Sequence, residues 1–214
     1  DYSHPDKYIG DPADWDTCEA MLAEISEEMD LKAKRREGEA ALYGPKLDFM
    51  FKDAMGREIQ IPTVQLDFAT PKRFDLTYIN EEGKAVPPVM VHRAILGSYE
   101  RFLALLIEHF AGAFPVWLAP VQAVVLSVTD RNAAYCQEVF QELTEADIRA
   151  EADLRNEKLG FKIREAQLQK IPYMLVVGDH EEEQRKVSPR LRSGENLGAW
   201  PVSRLIERIR EESR

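Results

Sequence analysis

Three short strand-like runs in the second half of the chain constrain its fold more than any other feature. They are AVVLSV at 123–128, RAEADL at 149–154 and YMLVV at 173–177. Residues 132–146 lie between the first two, with Tyr135, Val139 and Leu143 on one helical stripe, and residues 158–170 form a second helix-length stretch before the third. Strand, helix, strand, helix, strand is the order that lays parallel strands side by side with helices across them. A turn at Gly178-Asp179, a hairpin around Ser193-Gly194 and a last helix with Val202, Leu205, Ile206 and Ile209 inward complete this half. It reads as an α/β domain with a largely parallel sheet.

The first half keeps a different rhythm. Residues 14–30 carry Trp15, Cys18, Leu22, Ile25 and Met29 near a 3.6-residue spacing and read as an amphipathic helix. Residues 46–52 and 58–68 read as neighbouring antiparallel strands, joined by a turn at Ala54-Met55-Gly56-Arg57. Pro87-Pro88 leads into VMVHRAIL, with His92 expected at the end of a strand. Gly97 then opens a helix whose apolar face is Phe102, Leu105, Leu106 and Phe110. Pro115 and Pro120 in GAFPVWLAP break that helical pattern, which places a domain boundary between residues 113 and 114. The whole is therefore α+β: an antiparallel part over 1–113 and an α/β part over 114–214.

Composition narrows the setting. At 44% hydrophobic and 31% charged residues, the chain has no run approaching the ~18–20 apolar residues of a membrane span. Its start, DYSHPDKYIG, has neither the basic nor the apolar region of a secretory signal, and the missing initiator Met suggests a cut or processed start. Cys18 and Cys136 form no CxxC pair, so a reducing, cytoplasmic setting is expected. The net charge of −10 is uneven: −8 over residues 1–113 and −2 over 114–214. Within the second part, residues 184–194 hold Arg185, Lys186, Arg190 and Arg192 with no acid, a local basic surface able to meet phosphates.

Several groups carry candidate chemistry. His92 lies in an apolar setting, where a satisfied core histidine is commoner than a ligand. Arg93 and Arg101 flank a Gly-Ser that opens a helix, an arrangement suited either to an anion or to pairing with Glu100 and Glu108. Tyr43, Lys46, Gln60, Thr63 and Gln65 bound the two antiparallel strands; by strict alternation Gln60, Ile61, Thr63 and Gln65 cannot share one face. Arg155, Asn156 and Lys158 stand at a strand-to-helix junction, where open parallel sheets bind ligands and where Asn and Arg suit base-edge readout and Lys suits phosphate. Asp179 and Glu181 read as turn and cap residues, and residues 181–183 as a solvated acidic turn. No Ser-His-Asp arrangement, HExxH or P-loop is present.

The strings YGPKLDF, TVQLDF, VHRAILGSYERF, FP-W-LAPVQ, ADLRNEKLGFKIRE and PYMLVVGD occur in the order of landmarks of the threonyl-tRNA synthetases. The chain resembles the C-terminal portion of that family over nearly its whole length. The resemblance implies a partial antiparallel class II catalytic sheet over 1–113 and a mixed-sheet anticodon-binding domain over 114–214. It implies a ligase that activates threonine with ATP and Mg and transfers it to tRNA(Thr), in a parent that is a homodimer. Arg101 and Gln60 match residues at the ATP site and are the catalytic candidates. Tyr43 and Gln65 match the threonine pocket. His92 matches the third of three zinc ligands, in a site where zinc reads the threonine hydroxyl and so discriminates against valine. Asn156, Glu181 and Arg190 match positions that contact anticodon bases.

Departures accompany the match. Pro62 and Ile61 stand where the family has smaller residues, and His4 where it has an Arg. The first two class II motifs, the other two zinc ligands and an editing domain have no counterpart among these 214 residues, so the piece alone is expected not to form adenylate. A truncated, non-catalytic RNA-binding or regulatory paralogue is the alternative reading.

Overall fold

The structure is a computed structural model that describes residues 4–214, and the chain divides into two compact units, Asp1–Leu105 and Leu106–Arg214.

In the first unit, helix α1 (Pro12–Glu28) begins at Asp11, whose carboxylate accepts a hydrogen bond from the Ala13 N–H at 2.9 Å, with Pro12 in the first helical turn. Only part of its apolar stripe is covered. Cys18 is buried against Phe68 and Ala69, with Trp15 edge-on to Phe68 at 5.5 Å, whereas Met21, Ile25 and Met29 are exposed. Strand β1 (Lys46–Lys52) turns through Asp53, whose carboxylate takes the N–H groups of Met55 and Arg57, into strand β2 (Glu58–Asp67). A short helix α2 (Ala69–Arg73) and a small hairpin of β3 (Tyr78–Ile79) and β4 (Ala85–Val86) follow; neither is visible in the sequence pattern. Strand β5 (Met90–Ala94) then pairs antiparallel with β2, giving the order β1-β2-β5, and helix α3 (Tyr99–Phe110) runs across the division between the units.

The β1–β2 ladder contains one irregularity. Asp48 pairs with Thr63 and Met50 with Gln60, so Ile61 and Pro62 together oppose Phe49. This is a β-bulge, and Pro62, which has no N–H to donate, sits where the ladder leaves a residue unpaired. The extra residue resets the alternation of side chains, and Gln60, Thr63 and Gln65 fall on one face. The strict alternation expected from the sequence fails here because it assumes an unbroken strand.

In the second unit, β6 (Ala123–Ser127), β7 (Ala150–Asp153) and β8 (Tyr173–Val177) are parallel. Helix α4 (Ala133–Glu145) follows β6, α5 (Leu159–Leu168) follows β7 and α6 (Asp179–Glu183) follows β8. Strand β9 (Lys186–Leu191) pairs antiparallel with β8, the two-residue β10 (Trp200–Pro201) pairs antiparallel with β9, and α7 (Val202–Glu212) ends the fold. The strand order is β10-β9-β8-β6-β7, a mixed sheet. Alternation divides the core in two. Val125, Leu175, Val177 and Val187 pack with Tyr135, Val139 and Leu143 of α4 and Leu205 and Ile209 of α7. Val124, Leu126 and Met174 pack on the other face with Ala166 and Ile171. The segment before β6 is tied to this unit, because Arg149 donates to the carbonyls of Val116, Trp117 and Ala119, and Arg192 to that of Phe114.

Burial separates the units: every residue of β6 is buried, whereas the last four of β1 are exposed. Exchange protection follows the cost of opening a segment. Amides of 123–127 and 173–177 should therefore exchange more slowly than those of 46–52, as read by hydrogen–deuterium exchange; the reverse order would contradict this packing.

Candidate functional site

The first unit gathers its polar groups on one face of the three-stranded sheet. Gly44 makes this possible, because its Cα lies so close to the Leu66 carbonyl that any Cβ would overlap it. The 41–45 turn thus lies against β2, and the Tyr43 hydroxyl donates to Gln65 Oε1 at 2.5 Å. Gln65 faces His92 across the β2–β5 ladder, and the Tyr43 and His92 rings are 5.5 Å apart. His92 is central in β5 rather than at its end, and its Nε2 lies 3.0 Å from Asp67 Oδ2. Asp67 also accepts the N–H groups of Ala69 and Thr70.

Alongside, Asp48 accepts from Gln60 Nε2 at 2.7 Å and Thr63 Oγ1 at 2.6 Å, and its other oxygen pairs with Lys46 Nζ at 2.5 Å. Gly97, at a positive φ of 64°, brings the start of α3 onto the bulge, where a Cβ would stand 3.0 Å from the Ile61 carbonyl. Arg101 Nη1 consequently donates to the Gln60 carbonyl at 3.3 Å. Arg93 alternates with His92 and pairs with Val64, which puts it on the opposite face. The expected pair of guanidinium groups therefore reduces to Arg101.

Asp48 and Asp67 are the members that residue-by-residue reading missed. Their signal is the two-residue period itself: 46 and 48 on one strand, 63, 65 and 67 on the other. Among the described residues no three His, Cys, Asp or Glu side chains come together as a metal-holding group. Among the described residues Asp67 is the one carboxylate paired with His92, and two such groups do not by themselves fit a zinc site.

In the second unit, the basic run 184–194 is not one patch. Arg185 pairs with Glu138 at 2.6 Å and stacks over Tyr135 at 4.5 Å, and Arg192 is spent on the carbonyls of Phe114 and Lys170. Within β9, Val187 and Pro189 are buried while Ser188 and Arg190 lie on the other side. Arg190 pairs with Met174, and its Nε is buried with no hydrogen-bond partner. Residues 179–183 form the short helix α6 rather than a solvated turn. Glu181 from that helix accepts the Ser188 hydroxyl at 2.7 Å and the Gly178 N–H at 3.0 Å. Burial pushes the Glu181 carboxyl up, but the Ser188 hydroxyl and the Gly178 N–H, together with Glu181's own N–H and the neighbouring His180, hold it below the usual range. Ser188, which holds Glu181, and Arg190 share one side of β9, Ser188 opposite Val176 and Arg190 opposite Met174 near the start of β8. Asn156 is exposed in the β7–α5 loop, beyond the same strand-end edge as Glu181.

Comparison with known proteins agrees with this anatomy. Residues 13–110 match the family described as the tRNA synthetase class II core domain (G, H, P, S and T), and residues 122–212 match that described as the anticodon binding domain. The chain is 51% identical over 210 residues to the threonine–tRNA ligase of Syntrophotalea carbinolica, covering 98% of the chain and 33% of the relative. The ligase of Thermus thermophilus is 50% identical over 209 residues, covering 98% and 32%. A crystal structure of the RNA binding domain of threonyl-tRNA synthetase from Cryptosporidium parvum superposes with a TM-score of 0.90 at 36% identity, over 97% of this chain and 53% of that one. Core and anticodon-binding domains in succession define a class II aminoacyl-tRNA synthetase. Within that class the chain is similar over nearly its whole length to the threonine–tRNA ligases, and it spans about a third of the length of the curated relatives it matches.

Asp67 supplies a test of the first site. Burial alone would push its carboxyl up, yet the hydrogen bonds from His92 and the Thr70 and Ala69 N–H groups hold it below the usual range. A depressed folded value means that its stabilisation is complete above the unfolded value of about 3.9 and is lost as pH falls through the folded one. Asp67→Asn should expose the Ala69 and Thr70 amides to faster exchange at neutral pH and flatten the loss of stability below about pH 4. An unchanged acid limb would contradict the assignment.

Proposed function

We propose that the chain is the part of a cytoplasmic threonine–tRNA ligase that supplies one wall of the adenylate-forming pocket, roughly residues 1–113, and the anticodon-recognition domain, roughly 114–214. In the parent reaction a threonine carboxylate oxygen attacks the α-phosphorus of ATP, bound with Mg, and pyrophosphate leaves. The threonyl group then passes to the 3′ end of tRNA(Thr). The parent is proposed to be a homodimer, and the 214 residues alone are not expected to form adenylate.

The observation that supports this most is the single polar face built by Tyr43, Gln60, Gln65, His92 and Arg101. Gln65 is oriented by Tyr43 and Gln60 by Asp48, so both amides are fixed before a substrate arrives. In the proposal, Tyr43 and Gln65 line the threonine pocket. Arg101, fixed at the Gln60 carbonyl, lies against the ATP and offsets charge on its phosphates. His92 would be one zinc ligand in the parent, where zinc would read the threonine hydroxyl.

In the second unit, an unpartnered buried guanidinium N–H on Arg190 and a carboxylate held ionised on Glu181 suit the edges of unstacked bases, and the exposed Asn156 amide can both donate and accept. The chain should bind a threonine anticodon stem-loop. Asn156→Ala and Arg190→Ala should each weaken that binding roughly tenfold by titration calorimetry, the range for a base-edge contact. Equal affinity for an unrelated stem-loop would argue against the reading.

A further inference from the structure

Arg155 precedes Asn156 at the strand-to-helix junction, where residue type alone suggests a direct contact with RNA, at a base edge or at a phosphate. The structure gives it other work. Its Nε and Nη2 grip both oxygens of Asp153 at 2.9 and 2.6 Å, its Nη2 also pairs with Glu165, and its guanidinium stands 6.0 Å from the Phe161 ring centre. Its backbone N–H donates to the same Asp153 carboxylate at 3.1 Å. The Glu157 N–H donates to the Arg155 carbonyl at 2.9 Å, which makes Asn156 the central residue of a three-residue turn. Beneath it, Lys162 is 2% exposed and ties the ends of β6 and β7 together through the carbonyls of Ser127 and Asp153 and the Ser127 hydroxyl. Both the strand that enters the turn and the helix that leaves it are thus fixed to Arg155.

We propose that Arg155 is a positioning residue for RNA recognition: a forked latch between Asp153 and Glu165 that holds the turn presenting Asn156, without itself touching the RNA. This rests on the reading of Asn156 as a base contact. A bidentate fork is needed for such a latch, and a point charge cannot reproduce it. A phosphate contact is less exacting, because a lysine retains the charge and can still bind a phosphate as a point charge, which methionine cannot.

The test measures binding of a threonine anticodon stem-loop to the 214-residue chain and to Arg155→Lys, Arg155→Met, Asn156→Ala and Arg155→Met/Asn156→Ala, over a range of salt. Circular dichroism of each variant confirms the fold. The latch predicts that Lys and Met weaken binding alike, by roughly five- to tenfold. It also predicts that the double variant is no weaker than Asn156→Ala alone, and that the salt dependence is unchanged. A direct phosphate contact predicts that Lys binds clearly better than Met, that the losses multiply, and that the slope of log K against log salt falls by about 0.7 in the Met variant. That result, or full binding by Arg155→Met while Asn156→Ala is weakened, overturns the proposal. If Asn156→Ala binds as well as the unaltered chain, the assignment of Asn156 falls first and the latch falls with it.

Discussion

Side chains on a strand alternate between two faces, and where each functional group points in this molecule depends on that parity. In the first unit an unbroken β2 would send Gln60 to the face opposite Thr63 and Gln65. The bulge at Ile61-Pro62 adds one residue and brings all of them to the face that carries His92 and Asp67. Gly97 then lets the turn before α3 rest on that bulge, which is how Arg101 reaches the Gln60 carbonyl. A bulge, a glycine and an arginine form one mechanical chain, so the departures at Ile61 and Pro62 fall at the point that sets the geometry of the site. Proline suits this point because a bulged residue has no ladder partner for the N–H that proline lacks.

The second unit uses the same parity differently. Its sheet sends Val187 and Pro189 of β9 into the core while Ser188 and Arg190 face away, so one strand both closes the hydrophobic interior and presents the polar pair. Burying the Lys162 ammonium would be costly without partners, and three oxygens at the ends of β6 and β7 supply them. The outcome is a rigid edge at the carboxyl ends of the parallel strands, the edge where open α/β sheets place their ligands.

Much of this was legible in the chain itself. Strands β6 and β8 are buried on both faces and appear as short apolar runs, the edge strand β7 is only half-buried and carries an exposed Glu151, and the stripe Val202, Leu205, Ile206 and Ile209 of α7 is buried as its spacing predicts. Strand β9 was legible only as one arm of the hairpin at Ser193-Gly194, which the Arg190–Asn196 bridge closes; KVSPRL reads as part of a basic run and contains a proline, and its full extent depends on pairing with β8. The bulge was hidden because period-two reasoning has no term for an inserted residue. The fate of Arg155 was hidden because Glu165, ten residues on, reaches it only once α5 has folded back beside β7. Local pattern gave the elements, and pairing between distant segments decided which polar groups were free.

Under the proposed function, unpaired bases meet the edge formed by the β7–α5 loop, α6 and the outward side of β9. Backbone amide shift mapping of the labelled chain, titrated with a threonine anticodon stem-loop, tests it most directly. Perturbations confined to about residues 154–157, 178–183 and 188–196 would fit the account. Perturbations centred instead on α4 and α7, with those three segments unmoved, would contradict it.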